Sequence, residues 1–221
     1  MRINKQHIAD ENKNSSENHK DGFEFLSHQL DKQDKDVNAI LRKLADFQVA
    51  IPSWALGAGG TRFGRFSYFG EPSTLEQKID DVGVLHALTK TAGAISLHIP
   101  WDIPQDYDAI KERAKINGLV FDAVNSNTFQ DQKDAKESYR FGSLSNLNAS
   151  AREQAIQHNI DVIYIGKILG SKSLTVWLAD GANFAGQRNF QSSLIHTENS
   201  LKSIYSELPD DWKMFMEYKP Y

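Results

Sequence analysis

From residue 47 onward the chain repeats one pattern, a short apolar run followed by an amphipathic stretch, and this alternation constrains the fold more than any other feature. Apolar runs occupy 47–54, 94–102, 119–125, 173–180 and the closing 211–221. Between them, apolar residues recur at helical spacing over roughly 73–90, 106–117, 149–169 and 190–207. Strands that alternate with helices predict a mostly parallel sheet, and near-continuous apolar strands predict one buried on both faces. The first 46 residues differ: they are polar and helical in character. Phe23, Phe25, Leu26 and Leu30 mark one amphipathic segment, and Ile40, Leu41, Leu44 and Phe47 another. The run 10–21 has almost nothing to bury and reads as an exposed helix or a mobile arm.

Five strands either complete a flavodoxin-like doubly wound sheet or form the first five of a (β/α)8 TIM barrel. Every run carries polar or aromatic residues at its carboxyl end: Ser53 and Trp54; His98, Trp101 and Asp102; Asp122, Asn125 and Asn127; Trp177 and Asp180; Glu217 and Lys219. An open sheet concentrates ligand contacts at one switch point, whereas a barrel mouth draws on every strand, so the pattern favours the barrel. The expected organisation is an N-terminal helical extension over 1–46 and a TIM-barrel domain over 47–221 that stops after its fifth strand. A whole barrel takes about 250 residues, so truncation of a longer protein is expected.

Composition excludes several classes. A net charge of -4 argues against a nucleic-acid-binding surface. The absence of cysteine removes disulfides, thiolate metal sites and a Cys nucleophile. Residues 1–7 lack the apolar core of a signal peptide and no stretch is apolar enough to span a bilayer, which makes a cytoplasmic location the default expectation.

The glycine-rich loop Leu56-Gly-Ala-Gly-Gly-Thr-Arg-Phe-Gly64 follows a strand and contains G-x-G, but the third glycine of a dinucleotide fingerprint is replaced by Arg62. The aromatic and arginine residues of 61–69 fit better a loop that covers its own domain or a partner surface. His98, near a strand end and close to Trp101, is placed for a pocket, although a lone strand histidine is as often a satisfied core residue. Trp54, Trp101 and Trp177 occupy equivalent strand-end positions, where rings form apolar walls for the C–H faces of a sugar; any one alone reads as core. Asp122, Asn125, Asn127 and Asp180 are either substrate hydrogen-bonders or caps of the following helices. Glu217 and Lys219 share a strand face, a hard oxygen donor suited to Mn²⁺ or Mg²⁺ beside a cation that neutralises developing charge on a substrate oxygen.

Several blocks carry a family resemblance: Val49-Ala-Ile-Pro-Ser-Trp54, Gly59-Gly-Thr-Arg-Phe63, Ser96-Leu-His-Ile-Pro-Trp-Asp102, Phe121-Asp-Ala-Val-Asn-Ser-Asn-Thr-Phe129, Gly170-Ser-Lys-Ser-Leu-Thr-Val-Trp177 and Leu208-Pro-Asp-Asp-Trp-Lys213. From about Asp46 to its end the chain resembles L-rhamnose isomerase of the broad-specificity bacterial type, within the xylose-isomerase-like barrels. The resemblance implies an aldose–ketose isomerase that converts L-rhamnose to L-rhamnulose and tolerates sugars such as D-allose. It implies a pair of divalent ions, typically Mn²⁺, and a homotetramer. By position it makes Glu217 a metal ligand, Lys219 the catalytic contact to a substrate oxygen, His98 a substrate-binding residue, and Trp54, Trp101, Phe129 and Trp177 pocket walls. Phe63 corresponds to a loop phenylalanine that closes over a neighbouring subunit's site. The family's other metal ligands, histidines and aspartates, lie on strands beyond Tyr221, so the chain alone is expected to be inactive. Ser67-Tyr-Phe69, Ala182 and Ala185 depart from the family pattern.

Overall fold

A computed structural model describes residues 4–57, 69–178, 180–184 and 186–218. It opens with α1 (Lys5–Lys13), α2 (Glu17–Asp31) and α3 (Val37–Asp46). The polar run 10–21 is therefore helical on both sides of a break, and Ser16 restarts the chain by accepting a hydrogen bond from the His19 N–H. Ile8 is buried and α1 lies against α4, whereas Phe23, Phe25, Leu26, Leu41 and Leu44 of α2 and α3 stay exposed.

The repeating region follows as β1 (Ala50–Pro52), α4 (Leu75–Thr89), β2 (Ala94–Ile99), α5 (Tyr107–Ile116), β3 (Val120–Ser126), α6 (Ala149–Leu169), β4 (Ser173–Leu178), α7 (Phe190–Tyr205) and β5 (Lys213–Tyr218). Each helix starts where a side chain satisfies an orphan N–H: Thr74, Asp106, Asn148 and Asn189 cap α4 to α7. β1 is shorter than the apolar run 47–54. Phe47 ends α3 and is exposed, and Pro52, with no N–H for the ladder, gives way to a 3₁₀ turn over Ser53–Ala55. Asp122, Asn125, Asn127 and Asp180 cap none of these helices.

All strand pairs are parallel and the spatial order is β1-β2-β3-β4-β5. A doubly wound sheet reverses direction at a switch point, and this sheet never does. With right-handed crossovers advancing one way, α4 to α7 fall on one face. The fold is therefore α/β of the barrel type, represented by five consecutive strands. Ile95, Leu97, Ile99, Val124, Leu174 and Val176 point to the helices and pack with Ile79, Val82, Ile110, Val162 and Ile204. Each such side chain contributes about 1.5–3 kcal/mol when fully buried. The layers approach closely at Gly166 of α6, where an added Cβ would sit 2.7 Å from Trp212 and 2.8 Å from Val124. Trp212 is therefore an outer-core residue just before β5 and takes no part in the opposite face.

That opposite face is set by register. His98, Asn125, Thr175 and Phe215 are paired in one row across β2 to β5, and Trp177 is paired with Glu217 one step nearer the carboxyl edge. A bulge in β3 makes the first row possible: Ile95 pairs with Phe121 but Leu97 pairs with Val124, an extra residue on β3. Past the bulge the inward positions shift by one, and Asn125 turns inward.

Candidate functional site

Four strand ends converge on His98. The imidazole is completely buried and ringed by Trp101 at 4.2 Å, Trp54 and Trp177 at 5.1 Å each, and Phe129 at 5.8 Å between ring centroids. Phe129 stacks on Trp177 at 5.3 Å with 27° between planes, and Trp54 meets Trp177 edge to face at 5.8 Å. Pairs in these geometries each add about 0.5–1.5 kcal/mol beyond their buried area. The fold thus assembles, in one cluster at the carboxyl edge, five of the residues singled out from the sequence. Trp54 reaches it from the turn after β1, His98 and Trp101 from β2 and its exit, Phe129 from the exit of β3, and Trp177 from β4.

Polar groups hold this cluster from beneath. The Trp177 indole N–H donates to Asn125 Oδ1 at 3.1 Å, and the Asn125 amide donates in turn to the Leu97 and Ala123 carbonyls. Asp102 accepts from the Ser53 hydroxyl, from the His98 backbone N–H at 2.9 Å and from Lys78 Nζ at 2.7 Å. The Lys78 and Asp102 side chains are 8% and 1% exposed, a buried ion pair that ties α4 to the ends of β1 and β2. Nothing in the sequence marks Lys78, since a lysine on an amphipathic helix ordinarily faces water.

Asp180 serves as a loop anchor. Its carboxylate accepts from the Ser143 and Ser145 N–H groups and the Ser143 hydroxyl, while Arg188 braces the same loop through Ser145 Oγ and the Phe141 carbonyl. Asp122 is exposed; Ser96 Oγ lies 3.4 Å from its carboxylate, and its backbone carbonyl accepts from the Ser171 hydroxyl at 2.6 Å. His158 of α6, unmarked by its sequence context, has Nε2 3.2 Å from the Asn127 backbone N–H, as acceptor. Burial holds its pKa below the ordinary 6.5, with the Ile99 carbonyl and Asp161 opposing the shift.

Glu217 lies beside Trp177 in register, on the face of the aromatic cluster, but it is exposed rather than enclosed because β4 borders β5 on one side only among the described residues. Phe63 and Lys219 lie outside the described residues. Among the described residues no three His, Cys, Asp or Glu side chains converge, so those residues by themselves do not fit a divalent ion. Glu217 there is a single hard oxygen donor. Among the described residues, no helix is long and apolar enough to cross a membrane.

No protein family model matches the chain. It is 48% identical over 197 residues to a probable sugar isomerase of Rhizobium meliloti, covering 89% of this chain and 46% of that protein. It is 49% identical over 199 residues to a probable sugar isomerase of Mesorhizobium japonicum, covering 90% of this chain and 46% of that protein. The chain spans about half the length of the curated relatives it matches. Among solved structures it superposes on a 3-keto-D-glucoside 4-epimerase from E. coli with a TM-score of 0.53 at 8% identity, covering 77% of this chain and 56% of that one. That likeness concerns the fold alone.

Proposed function

We propose that the protein is a metal-dependent aldose–ketose isomerase of the L-rhamnose isomerase type, acting on L-rhamnose and on related aldoses such as D-allose. The observation that carries this reading is the convergence of Trp54, His98, Trp101, Phe129 and Trp177 on one point at the carboxyl edge of the sheet, with Glu217 in register beside Trp177. Similarity to probable sugar isomerases over most of the chain supports it.

In this reading the aromatic faces stack on the C–H faces of the sugar and exclude water. The His98 imidazole hydrogen-bonds a sugar oxygen. The reaction moves a hydride from C2 to C1 of the open-chain aldose and the proton of the C2 hydroxyl to O1, so that C1 carries the hydroxyl and C2 becomes the carbonyl. Lys219 faces the oxygen on which charge develops, and Phe63 closes the site from a neighbouring subunit of a homotetramer. Glu217 contributes one carboxylate to a divalent site whose other ligands come from outside the described residues. A bound Mn²⁺ would supply Lewis-acid polarisation of the sugar oxygens.

The test is incubation of the full-length protein with L-rhamnose, followed by NMR for the ketose, with and without Mn²⁺ after chelation. Ketose formation that depends on the added ion is expected, and the 221-residue chain alone is expected to be inactive. Failure of the ion-loaded full-length protein to convert L-rhamnose or D-allose would remove the reading.

A further inference from the structure

The aromatic cluster accounts for the apolar side of a sugar site, but the described residues in it offer few groups that read hydroxyls. Asn125 is committed to Trp177 and to two carbonyls. The next inward position of β3 is different. Asn127 continues the ladder, since its N–H donates to the Ile99 carbonyl at 3.1 Å, the bond that extends the pairing of Ile99 with Ser126. Alternation therefore persists to this residue and places it on the face of Asn125, level with Trp177, because Asn125 is paired with Thr175 two positions earlier.

Asn127 is 0% exposed, and neither its Oδ1 nor its Nδ2 has a hydrogen-bond partner among the described residues. The hydroxyl of the adjacent Thr128, 1% exposed, is in the same condition. Buried side-chain polar atoms are satisfied in the large majority of native cases, so an Asn127 amide with neither end partnered among the described residues demands a partner. At the same strand exit Phe129, two residues along and half-buried, rests on Trp177 and against half-buried Trp101. Because Asn127 is 0% exposed, a ligand reaches its amide only by displacing neighbouring side chains.

We infer that the Asn127 amide is a hydroxyl-reading group of this site, with Nδ2 donating to one sugar oxygen and Oδ1 accepting from the neighbouring hydroxyl. One donor and one acceptor in a single plane match a vicinal diol, in which each hydroxyl both gives and receives. The inference rests on the sugar-isomerase reading. It also explains why an amide sits where an apolar residue would pack better in the empty protein.

The experiment titrates L-rhamnose into the full-length protein in the presence of Mn²⁺, following tryptophan fluorescence, and compares wild type with N127V and N127S. Thermal unfolding without sugar is measured on the same samples. N127V is expected to bind L-rhamnose at least about tenfold more weakly, the effect of losing roughly 1.4 kcal/mol, while its sugar-free midpoint stays level or rises because the orphaned amide is gone. N127S, which retains one hydrogen-bonding group, is expected to fall between. Wild-type affinity in N127V, or in N127S should N127V fail to fold, overturns the inference and leaves the isomerase reading standing. A lowered sugar-free midpoint with unchanged affinity also overturns it and assigns the amide to a buried water. If wild type itself binds neither L-rhamnose nor D-allose, the isomerase reading and the inference fall together.

Discussion

Replacing Lys78 by methionine tests the foundation of the aromatic cluster. Lys78 Nζ is the only donor to Asp102 Oδ1 among the described residues, at 2.7 Å, and the Asp102 side chain is 1% exposed. Methionine keeps most of the aliphatic volume, so packing is nearly conserved while the cation is lost. The carboxylate then stays buried with the Ser53 hydroxyl and the His98 N–H as its donors, both on Oδ2. Breaking a buried pair from one side costs about 3–5 kcal/mol, and the surviving donors place this case near 3 kcal/mol. Urea unfolding of the full-length protein, followed by circular dichroism and by tryptophan fluorescence, measures the loss as a lowered midpoint at constant m-value. The double variant K78M/D102L removes both charges and is expected to recover much of the stability, which distinguishes an unpaired ion from lost packing. Tryptophan fluorescence is expected to change more in the double variant than in K78M, because only the double variant removes Asp102, which fixes the backbone of His98 and the residue preceding Trp54. A K78M midpoint equivalent to within about 0.5 kcal/mol of wild type would refute the reasoning, since that is the range of a surface substitution.

Three further outcomes follow from other parts of the structure. Since burial lowers the pKa of His158 in the folded state, its stabilising contribution is complete above the unfolded value of 6.5 and is lost as pH falls through the folded value. The difference in unfolding midpoint between wild type and H158Q, measured from about pH 8 to about pH 5, should shrink towards the acid end; a constant difference would exclude the linkage. Gly166→Ala gains about 1 kcal/mol of helix propensity but drives a Cβ into Val124 and Trp212, an overpacking cost of about 1–3 kcal/mol, so net destabilisation is expected in thermal melts. Glu217→Gln in the full-length protein is expected to weaken Mn²⁺ binding measured by calorimetry at least about tenfold, and unchanged affinity would take Glu217 out of the metal site.

How much of this was legible in the sequence depends on whether a signal was local. Strand and helix positions were readable because each apolar run is flanked by capping and turn residues. Trp54, His98, Trp101, Phe129 and Trp177 were readable because strand-end position alone brings them near one edge. Lys78 was not, because helical spacing does not reveal which long polar side chain reaches inward to a carboxylate 24 positions away. The bracing of the loop by Asp180 and Arg188 was not, because it spans more than 30 residues of irregular chain with no periodicity to follow. The same limit applied to Glu217: pairing it with Lys219 on one strand face was straightforward, but the neighbours that would enclose it belong to other strands.

The least legible element is also the most consequential. Simple alternation from Phe121, which faces the helices, would send Ala123 and Asn125 to that same apolar layer. Asn125 would then be a polar amide against α6, and the Trp177 indole would lose its acceptor at 3.1 Å. The extra residue in β3 reverses the parity from Val124 onward, placing Val124 against Gly166 and turning Asn125 and Asn127 towards the aromatic cluster. A bulge leaves little trace in a run whose residues are nearly all buried, because neither face announces itself by polarity. It is selected by the packing demand of Val124 on one side and the hydrogen-bond demand of Asn125 on the other, both of which exist only once β2, β4 and α6 are in place.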